Sequence, residues 1–211
     1  MGNWAARGAG LRIVLIVEGE TEKALLPALR QFLRTKLPAG MPRIVTDRRA
    51  GRIPTGEKLK RTVERYLNEG ADAVVALTDV YTGTREFTDA ADAKSKMRQW
   101  VGQDPRFYPH AAQHDFEAWL LPYWDDIKRL RGTNRNAPAE NPESVNHMSP
   151  PAHRLAEAFR TGTKRTYYNK PIHAAKILDG KDLTIAAAKC RELREFLNTL
   201  VTLGGADPVF K

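Results

Sequence analysis

The chain has 211 residues, 42% hydrophobic and 28% charged, which is ordinary globular usage and excludes disorder as the dominant state. Cys190 is the one cysteine, so an internal disulfide and a cysteine-rich zinc site are excluded, and a reducing cytoplasmic setting is expected. The 34 Lys and Arg residues against 25 Asp and Glu give a net charge of +9, which favours polyanionic partners, nucleic acid first.

Leu11 to Val17 (LRIVLIV) is a short apolar run rich in β-branched residues and predicts a buried strand of a parallel sheet. Its aliphatic part, Ile13 to Val17, is far below the roughly 18 residues that cross a bilayer, so no membrane association is expected. Helical spacing of Leu25, Leu26, Leu29, Phe32 and Leu33 predicts one helix over Glu20 to Thr35. A second strand is expected over Pro42 to Thr46, turn material over Gly51 to Thr55, and a helix over Gly56 to Gly70, with Gly70 as its stop. Ala73 to Thr78 predicts another buried strand, Glu86 to Val101 a helix, and Phe107 to Gln113 a weaker strand. Phe116 to Leu130 predicts a helix with Phe116, Leu120, Trp124 and Ile127 on its apolar face, bent at Pro122.

Residues 132–151 lack periodicity and are rich in Asn, Pro and Ser, which predicts a long surface loop. Helices follow at His153 to Phe159, Pro171 to Leu178 and Leu183 to Leu203, the last with Ile185, Cys190, Leu193, Phe196, Leu197 and Leu200 on a broad apolar face. The expected organisation is an α/β domain over 1–131, the loop 132–151, and a helical C-terminal part over 152–211 packed on the same unit.

Three acidic segments follow apolar runs. Glu18 ends the first strand, and Glu20 and Glu22 open the helix after it. Carboxylates at a helix start also have a purely structural use, as partners of its positive end, and Glu20 fits that better than Glu18 does. Asp79 lies just past a second buried strand, at the edge where open α/β sheets carry their ligands. Asp115 reads as a cap, and Glu117 lies near the start of the helix it opens. All candidate ligands are oxygen donors, which favours Mg²⁺ or Mn²⁺ over zinc.

The cations cluster on either side. Residues 43–61 hold Arg43, Arg48, Arg49, Arg52, Lys58, Lys60 and Arg61, and residues 154–176 hold Arg154, Arg160, Lys164, Arg165, Lys170 and Lys176. Arg48, Arg49, Arg52, Arg154, Lys164 and Arg165 are candidate phosphate contacts, although charge runs also serve as solvated faces. Tyr167 and Tyr168, set among these cations, are candidates for stacking on unpaired bases.

The segment VEGETEK, 17–23, resembles the glutamate motif of Toprim domains, and its Glu18–Glu22 form resembles the branch of the OLD-family nucleases. LTDVYTG, 77–83, is similar to the second Toprim motif. HDFEAWLL, 114–121, and the tail through YYNKPIHAAKI and KCRELREFL resemble a stand-alone bacterial Toprim-like family. The resemblance implies a Toprim-like, Rossmann-like, mostly parallel sheet flanked by helices, with a helical C-terminal extension. It also implies a divalent-metal site of Glu18, Glu22, Asp79 and Glu117, with Glu18 as general acid or base and Lys170 as the catalytic lysine. The implied activity is phosphodiester hydrolysis of DNA or RNA, as effector of an antiphage system beside an AAA-type or SMC-like ATPase, and a homodimer is expected by base rate. Tyr81 stands where the motif has its second Asp. That departure keeps open a non-catalytic module that binds nucleic acid or docks on an ATPase.

Overall fold

A computed structural model of the chain describes residues 10–38, 40–49, 51–81, 86–138, 141–144, 149–164 and 166–211. Four strands, β1 (Arg12–Val17), β2 (Arg43–Arg48), β3 (Ala73–Asp79) and β4 (Phe107–Ala112), form a sheet in the order β2-β1-β3-β4. Every pairing is parallel. The expected α/β class, a parallel sheet flanked by helices with a helical C-terminal part, is what the chain forms.

Alternation along the strands divides the core in two. Val14 and Ile16 of β1 and Val74 and Ala76 of β3 face α3 (Gly56–Asn68) and α4 (Ala90–Val101), where they meet Leu59, Val63 and Met97. Ile13, Leu15, Val17, Val75 and Leu77 face the other way, into a larger cluster that continues through Phe159, Ile177, Phe196 and Leu200. The C-terminal helices therefore cover one sheet face through a continuous apolar interior.

Three expected helices are broken, each for a local reason. The first becomes α1 (Glu20–Lys23) and α2 (Leu26–Lys36), because Pro27 has no N–H to give the Lys23 carbonyl and its ring crowds that oxygen. Pro122 does the same to the carbonyl of Ala118. Phe116–Trp119 and Leu121–Tyr123 are consequently 3-10 turns, and α5 (Trp124–Arg131) starts only afterwards. The helix expected over Leu183 to Leu203 is split at Cys190, which is extended, into α8 (Leu183–Lys189) and α9 (Arg191–Leu203). The split takes Ile185 off the apolar face, and it is 48% exposed.

Two further helices, α6 (Pro151–Thr161) and α7 (Lys170–Leu178), complete the fold. Part of the long segment 132–151 is anchored. Trp124 Nε1 donates to Arg135 O at 2.9 Å, and Pro142–Ser144 is a 3-10 turn from which Glu143 accepts the amides of Arg191 and Glu192. Among the described residues no helix is long and apolar enough to cross a membrane.

Candidate active site

Parallel strands end on one edge, so the acidic segments after β1, β3 and β4 gather there. Val17 pairs with Leu77, which sets Glu18 beside Thr78 and Asp79. Glu18 Oε1 accepts from Thr78 Oγ1 and from the Asp79 amide, the latter at 3.0 Å. Gly19 is extended here, a conformation open to any residue, and its amide donates to Glu22 Oε2 at 2.9 Å. This bond curls Glu22 back over the first turn of α1.

After β4 the chain turns through His114, whose φ of 71° is left-handed and uncommon outside glycine. Such strain gathers at functional sites. His114 Nδ1 lies 2.8 Å from the Tyr81 hydroxyl, and the Tyr81 amide donates to His114 O at 2.7 Å. The turn delivers Asp115 and Glu117. Asp115 Oδ2 accepts from the Ala152 amide of α6 at 3.2 Å, while its buried Oδ1 has no hydrogen-bond partner. Glu117, 1% exposed, is reached by Lys170 Nζ at 3.2 Å and the Tyr168 hydroxyl at 3.4 Å. Lys170 opens α7, and packing of α7 on α1 is what carries it across to the sheet edge.

Glu18, Glu22, Asp79, Glu117 and Lys170 line one cleft of about 220 Å³, together with Tyr81 and Gly51. Burial raises the pKa of Glu18 to about 7, against the hydrogen bonds from Thr78 and Asp79, with the nearby charge of Glu22 adding to the rise. Burial and the charge of Glu117 raise Asp115 to about 7. Asp79 is held well above the carboxylate range by burial and by Glu18, Glu22, Asp115 and Glu117, and Glu22 is raised by burial and Glu117. Burial alone would lower Lys170, but Glu117, Asp115 and Asp79 outweigh it and hold the ammonium above its usual value.

The donor set is all oxygen, which fits a hard divalent ion, and Asp115 Oδ1 is a buried acceptor still to be satisfied. Convergence is the missing element. Among the described residues, no group of three His, Cys, Asp or Glu side chains is placed to hold an ion. Three of the acids are instead turned to donors of their own: Glu18 to Thr78, Glu22 to Gly19, Glu117 to Lys170.

Three of the expected phosphate contacts are already paired with acids. Arg48 pairs with Glu20, Arg49 with Asp47 and Arg52 with Glu86. Their loop still borders the cleft, because the Gly51 amide donates to Glu18 O at 3.0 Å. Arg154 is half-buried on α6 with its Nε lacking a hydrogen-bond partner, and Lys164 is exposed beyond the end of that helix. Arg165 lies outside the described residues. Glu20, paired with Lys23 and Arg48, serves the structural use expected of a first-turn acid. The sequence reading missed the place of Asp115 in the cluster. Its signal was the D-x-E spacing after β4, read there as a cap. Tyr168, expected to stack on bases, is 6% exposed and holds Glu117 instead.

Residues 17–201 match the family described as a domain of unknown function, DUF4276. The chain belongs to the DUF4276 family. The matched span contains Glu18, Glu22, Asp79, Asp115, Glu117 and Lys170, so the whole acidic cleft lies within the DUF4276 domain. No curated protein matches the chain. Among solved structures it is similar to the C-terminal region of the Burkholderia pseudomallei OLD protein, at 14% identity and a TM-score of 0.51, over 90% of this chain and 98% of that one. It is also similar to the C-terminal region of the Xanthomonas campestris pv. campestris OLD protein, at 15% identity and a TM-score of 0.45, over 93% and 98% of the two chains. At such identity the first likeness speaks for a shared fold alone.

Proposed function

We propose that this DUF4276 protein is a Mg²⁺- or Mn²⁺-dependent nuclease of the Toprim type, hydrolysing phosphodiester bonds of DNA or RNA. One observation carries the reading: Glu18, Glu22, Asp79 and Glu117 line one cleft at the parallel-sheet edge beside Lys170, with buried Asp115 near enough to act on Asp79. Buried acids are costly to ionise, and the raised pKa values of Glu18, Glu22, Asp79 and Asp115 show that their donors and Lys170 do not offset burial, which a cation's charge would do. Glu18, Glu22, Asp79 and Glu117 would hold the metal, with Asp115 beside them. Bound there, the ion supplies Lewis-acid stabilisation and a more acidic water.

The chain's own groups do the rest. Glu18 Oε1 is occupied by Thr78 and Asp79, which leaves Oε2 for a proton or for the cation. The Lys170 ammonium lines the same cleft and counters the charge of a phosphate entering it. A nucleic-acid strand, an AAA-type or SMC-like ATPase and a second copy of the chain are the partners this reading extends to.

The competing reading is a non-catalytic module that binds nucleic acid or docks on an ATPase. Tyr81 favours it, since a phenol with a raised pKa occupies the cleft where the motif has an aspartate. The experiment is incubation of wild type and Glu18→Gln with supercoiled plasmid, single-stranded DNA and tRNA, with and without Mn²⁺ and a neighbouring ATPase. Mn²⁺-dependent cleavage that Glu18→Gln abolishes supports the nuclease. Cleavage by neither protein gives the module.

A further inference from the structure

Beside the acidic cleft lies a larger groove of about 1260 Å³, between α6 and the segment that leads into α7. Its walls are mostly apolar, and His153, Arg160, Thr166, Tyr167, Tyr168 and Lys170 contribute to them. Lys170 lines both cavities, so the groove adjoins the cleft there. The two adjacent tyrosines divide their roles sharply. Tyr168 is buried, packed edge-on against Phe159 at 4.9 Å between ring centres, and donates to Glu117. Tyr167 is 88% exposed, with its ring open to the groove.

An exposed aromatic ring beside an apolar wall suits a flat, uncharged partner, while cations on the same wall suit phosphates. Arg160 and Lys170 supply that charge, and Glu157 on the same wall is already neutralised by Arg135 at 2.9 Å. A nucleotide presents both features at once, an aromatic base and an anionic phosphate. Bases inside a duplex have both faces covered by their neighbours, so only an unpaired base can take up such a ring.

We propose that Tyr167 is a stacking platform for an unpaired base of the strand whose phosphate lies at Lys170, and that the substrate class is therefore nucleic acid with a single-stranded segment. This deepens the nuclease reading, on which it rests for the strand's path between the two cavities. The platform has a readout of its own, because binding is measurable without cleavage.

The test is equilibrium binding of the full chain, in EDTA, to a fluorescent single-stranded oligonucleotide and to the same sequence as a blunt duplex. Tyr167→Ala is expected to weaken single-strand binding by about 5- to 150-fold, the range for loss of one stacked base, and to leave duplex binding unchanged. Tyr167→Phe keeps the ring and is expected to bind as wild type does. The exposure of Tyr167 means that neither variant loses core packing. An unchanged affinity in Tyr167→Ala, an equal loss on single strand and duplex, an equal loss in Tyr167→Phe, or no single-strand binding by wild type overturns the platform. Mn²⁺-dependent cleavage of the same single-stranded oligonucleotide, assayed in parallel, separates the two readings. Cleavage that survives alongside an unchanged affinity removes the platform and leaves the nuclease. Ring-dependent binding without cleavage removes the nuclease and leaves the platform.

Discussion

Among the described residues, the acids of the cleft and those at a helix seam, Glu192 and the half-exposed Glu195, are built differently. At the seam of α4 and α9, Lys94 Nζ sits 2.6 Å from both Glu192 and Glu195, so one cation serves two carboxylates at close range. Glu195 is held below its usual pKa, its contacts with Lys94 and Arg191 outweighing the cost of burial, whereas burial keeps Glu192 above its own despite Lys94. In the cleft, Glu18, Glu22, Asp79, Asp115 and Glu117 share Lys170, with Arg52 acting on Glu18 from farther off. Glu18, Glu22, Asp79 and Asp115 all have raised pKa values. Acids that tie elements together come with their counter-charge, whereas acids kept for a ligand leave that charge to be supplied from outside.

The comparison breaks first on activity. Glu18→Gln is expected to lower Mn²⁺-dependent cleavage at least about a hundredfold, while Glu192→Gln leaves it within about twofold, in a plasmid assay read over time. Similar losses in both variants would make the cleft no more functional than the seam. Glu18→Gln is also expected to stabilise the metal-free protein by about 1–3 kcal/mol at pH 8, in denaturant melts, because it removes a charge held against burial.

A pH series comes next. Glu18 and Asp115 have folded pKa values of about 7, above their ordinary values of 4.5 and 3.8, so the native state holds extra protons between those limits. Their contribution is full below about pH 4 and declines as pH rises through 7. His110 and His173, with pKa values lowered to about 3 and 4, act with the opposite sign, so the readable quantity is the difference between wild type and Glu18→Gln. The stability advantage of Glu18→Gln in the metal-free protein is expected to grow by about 2–3 kcal/mol between pH 5 and 8. A difference that stays flat over this interval would sink the idea.

The lysines sharpen the contrast. Lys170→Met and Lys94→Met each strand buried carboxylates, and each is expected to cost about 1–2 kcal/mol at pH 8, reduced from a fully buried pair because Lys170 is 48% exposed. Mn²⁺ should restore melting temperature in Lys170→Met and not in Lys94→Met. Equal rescue, or rescue of neither, would remove the distinction between the clusters.

The smallest expected effect is on salt dependence. Lys164→Ala should reduce the log–log salt slope of nucleic-acid binding by about 0.7–0.9, the change for one lost phosphate contact. Arg48→Ala should change it less, since Arg48 is already engaged by Glu20.

The strands and the placing of Glu18 and Asp79 were legible in the sequence because they depend on local pattern. A run such as LRIVLIV with no charge after Arg12 has to be buried on both faces, and parallel pairing then carries the acids after it to a common edge. Pro122, read as a bend, and Pro27, inside a helix read as unbroken, were visible as well, and taking each as a full stop would have given the breaks that the structure shows there. The end of α8 carries no such mark. Cys190 and its neighbours suit a helix, and the chain opens there because Glu143, 47 residues earlier, accepts the first two amides of α9. Nor does local pattern separate Tyr167 from Tyr168, whose exposures of 88% and 6% are set by whether Phe159 and Glu117 lie against the ring. The sequence by itself determined which residues carry charge and which strands are buried, since solvation acts residue by residue. Tertiary structure alone decided which acid receives Lys170, which is left with an unsatisfied oxygen and which ring stays open. Those outcomes depend on contacts between segments far apart in the chain, and no window of sequence contains both partners.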